Sequence, residues 1–307
     1  MRRNLLLTLP ALVLLFAMAT VTAATSPSFL SEDNLANLAS RLLPVSLATL
    51  GQAIVLFAGC IDLSVGSVIS LATAMMATLS VPFGWGAIPA ALLAGALCGT
   101  LTAAGIDHFR INPLVMSLAT AAAVKGVTLL ILPSPGGEVD YALYALLFET
   151  ERLLAPPLLI TLIVFALAAT FLDWTRMGRS IYGFGSDPRA AIARGASPRR
   201  VVFGVYIASG MLAAAAGIVL SIRILSGDPL IGDAYTLDTV SAAILGGVAL
   251  TGGRGNVIGT LFAAGALVLL NNTFNLLELD TNLQSIAKGL VFILALVFFM
   301  RGKAGEA

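Results

Sequence analysis

The sequence predicts an all-α polytopic membrane protein with about ten transmembrane helices and both termini in the cytoplasm. Three observations carry that expectation. The 307 residues are 58% hydrophobic and only 11% charged, with a mean hydropathy of +0.98, whereas a soluble domain carries roughly 25% charged residues. The deficit of charge runs the whole length of the chain, which is the composition of a chain that crosses the bilayer repeatedly. The basic residues then sort onto one side.

In chain order, the N-terminus "MRRNLLLTLPALVLLFAMATVTAA" has the basic start, apolar run and small residues of a signal peptide, and also the length of a span. A retained first span is the expectation, because so hydrophobic a chain normally keeps its first crossing. Apolar runs place spans near 5–24, 42–58, 64–80, 86–105, 112–132, 156–173, 200–222, 236–250, 256–275 and 282–300, in one transmembrane domain over residues 1–307. With the N-terminus inside, Arg2, Arg3, Arg110, Arg176, Arg179, Arg189, Arg194, Arg199, Arg200, Arg254, Arg301 and Lys303 fall on the cytoplasmic side. Only Arg41, Arg152 and Arg223 fall outside, and the positive-inside bias therefore supports both count and direction.

Between the spans, "SEDNLANLASRLL" reads as a helix lying along the outer surface, capped by Ser31. An outer loop over about 133–155 begins "PSPGGEVD" and continues into a short interfacial helix, "YALYALLFETERLL". The pairs Gly95/Gly99 and Gly255/Gly259 have GxxxG spacing and suit close helix packing. His108 is expected on a short loop.

Several function classes are excluded early. A net charge of +1 gives no basis for nucleic-acid binding. Cys60 and Cys98 lie in apolar stretches, and one histidine cannot build a metal centre or a catalytic triad. The sequence contains no GxxxxGK[ST] phosphate loop, so no catalytic residue, metal or nucleotide cofactor is expected on this chain.

Three segments carry more information. The inner loop over about 174–199 contains "SDPRAAIARGASPRR", in which Asp187 caps a helix, Pro188 takes its first position, and Arg189, Ala190, Ala191, Ile192, Ala193 and Arg194 continue it. Gly195 closes it in a left-handed conformation, and Ser197 caps the next helix. Ala190, Ala191, Ile192 and Ala193 offer a small docking face. The segment "AGCIDLSVGSVISL" puts Asp62 at the cytoplasmic end of the second span, joined to the third through Ser64 and Gly66 in a tight re-entry, with the carboxylate bonding backbone N–H groups. "GGRGNVIGTL" enters the ninth span similarly on Gly252, Gly253 and Gly255, and Gly66-Ser67-Val68-Ile69 matches Gly255-Asn256-Val257-Ile258.

Together, "GCIDLSVGSVISL", "YGFGSDPRAAIARGASPRRV" and "AAILGGVALTGGRGNVIGTL" resemble the signatures of the ribose-type sugar permeases of bacterial ABC importers, from about residue 30 to 300. Cys60 stands where that family usually has glycine, and Thr236 where a glutamate is common. The resemblance implies a non-catalytic multi-pass subunit of the bacterial inner membrane. It forms the path for a monosaccharide or related small polar solute. Its implied partners are cytoplasmic ATPases that bind the ATP, a second permease copy or paralogue, and a periplasmic sugar-binding protein. Residues 187–195 would then be the helix that contacts the ATPase. The rival reading is an ion-coupled secondary transporter, against which Asp62 and Asp238 are expected near span ends, leaving no mid-span carboxylate. Lys125 and Lys288, six or seven residues inside their spans, either snorkel or pair with an outer acid, or line the pathway.

Overall fold

The structure, a computed structural model, describes residues 8–149, 156–280, 282–284 and 286–290. Twelve α-helices can be named in it. They are α1 (Leu9–Thr25), α2 (Glu32–Phe57), α3 (Val65–Phe83), α4 (Ala87–Phe109), α5 (Pro113–Ile131) and α6 (Tyr141–Phe148), then α7 (Pro156–Trp174), α8 (Arg176–Ser186), α9 (Pro188–Ala193), α10 (Pro198–Ile224), α11 (Asp233–Leu245) and α12 (Val257–Leu276). Residues 282–284 and 286–290 are helical as well, and the rest of the tenth expected span lies outside the described residues. Six described helical stretches are long and apolar enough to cross a membrane, one of them Val65–Phe109 at 45 residues. That stretch is about 68 Å of helix, twice the roughly 30 Å hydrocarbon, and a 3₁₀ turn at Gly84–Gly86 folds it into α3 and α4.

The helix α10 is the centre of the bundle. Gly95 and Gly99 of α4 lie against Gly210 and Tyr206 of α10, so close that a Cβ on either glycine would strike the α10 backbone. Gly217 of α10 meets Ile69 of α3 in the same way, and Gly51 of α2 packs on Ser209. Small residues therefore bring four helices to backbone contact, where dispersion replaces the hydrophobic drive that lipid cannot supply. The helix α1 packs along α12, with Ala11, Ala263 and Leu267 in one buried cluster and the hydroxyls of Thr22 and Thr273 bonded.

Several expectations change. The surface helix after Ser31 and the second span are one helix of 26 residues, with Pro44 inside it; the apolar period simply continues through the proline, which membrane helices tolerate. His108 lies in the last turn of α4, not on a loop. The eighth span is shorter than expected. The helix α11 has 13 residues, about 20 Å, and residues 246–250, expected to complete the span, are irregular. The inner loop contains an unexpected helix, α8, capped by Thr175, whose hydroxyl accepts from the Gly178 N–H at 3.0 Å.

Candidate functional site

The three informative segments meet at one place, and glycine is the reason. The Gly253 N–H donates to the Phe57 carbonyl at 2.9 Å, linking the segment before α12 to the end of α2. The Ser186 hydroxyl donates to the Gly253 carbonyl at 3.3 Å, bringing in the end of α8. A Cβ on Gly185 would collide with the Phe57 carbonyl, and one on Gly252 would collide with the Gly59 backbone. Gly252 also holds a φ of +81°, which any side chain would strain. Three chain segments thus share a volume that admits only backbone.

Directly after this junction comes α9. Asp187 accepts from the N–H groups of Arg189 and Ala190 at 2.9 and 3.1 Å, Pro188 opens the helix, and Arg194 ends it. Gly195 follows at a φ of +88°, and the Ser197 hydroxyl accepts from the Arg200 N–H at the start of α10. The small docking face is divided: Ala191 is buried against the chain itself, while Ile192 and Ala193 are exposed. The reason is the tight turn at Asp187, which lays one side of a two-turn helix on α8.

Asp62 lies between the second and third spans. The second span ends at Phe57, and Asp62 sits in the linker beyond it, 1% exposed. One carboxylate oxygen accepts from the Ser64 N–H and hydroxyl at 2.9 and 2.6 Å, and the other accepts from the Ser209 hydroxyl at 2.8 Å. The Tyr206 hydroxyl donates to the Ile61 carbonyl at 2.9 Å. Ser209 is the twelfth residue of α10, about 17 Å along it. The linker is therefore tied to the middle of the central helix. The sequence marks Ser64 but neither Ser209 nor Tyr206, because a partner 147 positions away leaves no local pattern.

The two helix starts also differ in register. Gly66 is already inside α3, whose cap position Ser64 makes no side-chain cap bond. Gly255 precedes α12, which Asn256 caps by accepting from the Ile258 N–H at 3.0 Å. The matching residues are thus not structurally equivalent.

Both lysines expected within spans find acids, and both acids are on α11. Lys125 pairs with Asp233 at 2.6 Å, and Lys288 with Asp238 at 3.7 Å. Asp238 is six residues into α11, so it is not at a span end. Lys288 and Asp238 also line a cavity of about 130 Å³ with Val45, Tyr235 and Asn271. Among the described residues no group of three or more histidines, cysteines or acids could hold a metal ion.

Comparison with known proteins fixes the class. The family model described as "Branched-chain amino acid transport system / permease component" matches residues 34–296. The chain is 33% identical over 295 residues to the ribose import permease protein RbsC of Haemophilus influenzae, covering 94% of this chain and 90% of that one. It is 32% identical to the RbsC of Bacillus subtilis, covering 92% and 89%, and 31% identical to the L-arabinose transport system permease protein AraH of Escherichia coli, covering 89% and 84%. No solved structure matches it. The repeated apolar helices, the glycine junction beside α9 and these similarities agree, and the chain belongs to this permease family, as a permease subunit of an ABC importer.

Proposed function

We propose that this subunit forms the path for a monosaccharide or related small polar solute, and that α9 is where an ATPase moves it. The cargo class follows from the relatives, whose names speak of ribose and arabinose. The proposed arrangement has ten spans, both termini cytoplasmic, in a bacterial inner membrane. Two cytoplasmic ATPases would bind the ATP, a second copy or paralogue would complete the path, and a periplasmic binding protein would deliver the solute.

One observation carries the coupling role. The helix α9 is held between Asp187 and Gly195, with the glycine junction immediately before it and α10 immediately after it. Displacement of α9 would therefore act on the end of α2 and the segment before α12 through backbone contacts, and on Asp62 through α10. A rigid route of this kind transmits motion that a solvated loop would absorb. Asp62, which is buried and accepts three hydrogen bonds, and the partly exposed Asp238, which pairs with Lys288, both have partners within the chain, which argues against either as an open ion site.

The test is uptake into proteoliposomes by the chain assembled with its ATPase and binding protein. Uptake should require ATP and persist when proton and sodium gradients are collapsed. Uptake driven by an ion gradient without ATP would overturn the reading. Sidedness is checked on the same material, with Cys60 and Cys98 first replaced. A cysteine at the exposed Glu138 should react with an impermeant thiol reagent from outside intact spheroplasts, and one at Arg189 should not.

A further inference from the structure

Two of the three arginines that break the positive-inside distribution, Arg41 and Arg223, converge on one atom. The Arg41 Nε donates to the Asn37 Oδ1 at 3.0 Å, and an Arg223 Nη donates to the same oxygen at 2.9 Å. The two guanidinium nitrogens therefore lie within about 6 Å of each other, with a neutral amide as their shared acceptor. Both side chains are half-buried, and among the described residues neither has a carboxylate within 4.0 Å. Like charges at that separation repel, and half-burial reduces the solvent that would screen them.

Among the described residues, the one side-chain acceptor these two guanidinium groups use is the Asn37 oxygen. Each guanidinium has five N–H donors and no acceptor, and the Asn37 oxygen is already shared, so the hydrogen-bonding capacity left on the three side chains is chiefly donor. Planar forks of this type match a carboxylate or phosphate in a bidentate manner. The cluster lies one helical turn from a residue that lines the cavity at Lys288. Val45, one turn beyond Arg41 on α2, lines that cavity together with Tyr235. The cavity adds Asn271, Asp238 and Lys288, groups that suit hydroxyls.

We propose that Arg41, Arg223 and Asn37 form an oxyanion site one helical turn from this cavity, and that the transported solute carries a carboxylate on a polyhydroxylated body. This rests on the importer reading for the identity of the ligand as cargo. The binding itself does not, and it can be measured on the chain alone.

The experiment uses the full chain in phosphatidylcholine nanodiscs and follows its unfolding temperature, which rises with any ligand that binds the folded state. The probes are sodium gluconate and the matched neutral polyol D-glucitol, with sodium chloride equalising ionic strength. Gluconate should raise the unfolding temperature in a saturable manner, and glucitol should not. R41Q and R223Q should each weaken the apparent gluconate affinity roughly tenfold, as expected for loss of a charge-assisted bond, while R41K should keep part of it. Equal shifts with gluconate and glucitol would overturn the assignment, and that comparison needs no variant to fold. So would a wild-type gluconate response in the R41Q/R223Q double variant. Loss of the gluconate response when phosphatidylglycerol replaces part of the lipid would identify a headgroup as the occupant and remove the cargo claim. None of these failures touches ATP-dependent uptake, which stands or falls separately.

Discussion

The junction before α3 and the junction before α12 share a glycine-containing pattern and a common meeting point at Phe57, Gly59, Gly185 and Gly252. They are built differently. Before α12, the start is neutral and local: Asn256 caps the helix two residues on. Before α3, the start is charged and long-range: Asp62 is wholly buried and reaches across to Ser209. The neutral cap stabilises its own helix. The charged one makes the position of α3 depend on that of α10, the helix that follows α9.

Removing the two side chains separately should expose this difference. Asp62→Ala deletes the acceptor for three hydrogen bonds to a charged group. Bonds of that kind contribute roughly 1.5–3 kcal/mol each, partly offset by relief of a buried charge, so a net loss of about 3 kcal/mol is expected. Asn256→Ala should cost about 1 kcal/mol, the usual value of an N-cap. Unfolding in detergent measures both. Equal losses would mean that Asp62 is only another cap. Ser209→Ala, which leaves the local Ser64 bonds in place, should reduce transport more than it reduces stability.

The two lysine–aspartate pairs on α11 give a second, smaller contrast. Lys288 and Asp238 have side chains 22% and 25% exposed, and Lys125 and Asp233 have 40% and 51%. Lys288→Met would leave Asp238 without its cation in a less solvated place and should lower uptake severalfold at normal expression. Lys125→Met removes a more exposed pair, worth about 0–1 kcal/mol, and should leave uptake near normal. Uptake assays on matched membranes decide it, and reversal of that order would remove Lys288 from the pathway.

These contrasts also separate what the sequence discloses from what it hides. Features set by neighbours in the chain are legible. Ser31, Asp187 with Pro188, Gly195 and Ser197 each take the position that local capping chemistry assigns them. The glycine spacing of Gly95 and Gly99 likewise marks a real helix contact. Features set by distant neighbours are not. Nothing near Asp62 announces Ser209, and nothing near Gly185 announces the Phe57 carbonyl. Hydropathy also misjudged α11, because a glycine-rich irregular segment is as apolar as the helix it follows. The motifs were visible as separate segments, and their junction was not.

The central claim is that motion enters at α9 and reaches the end of α2 and the segment before α12 from there. Ala193 is exposed on α9 and clear of the glycine junction, so Ala193→Arg alters the outer face of that helix and no contact between spans. An unpaired charge forced into a desolvated interface costs several kcal/mol. The most direct measurement is ATP-driven uptake by the Ala193→Arg complex, with retention of the ATPase scored on the same sample. The account predicts normal membrane insertion, with uptake and binding-protein-stimulated ATP hydrolysis both lost or strongly reduced. Wild-type uptake by the variant with the ATPase still bound would contradict it.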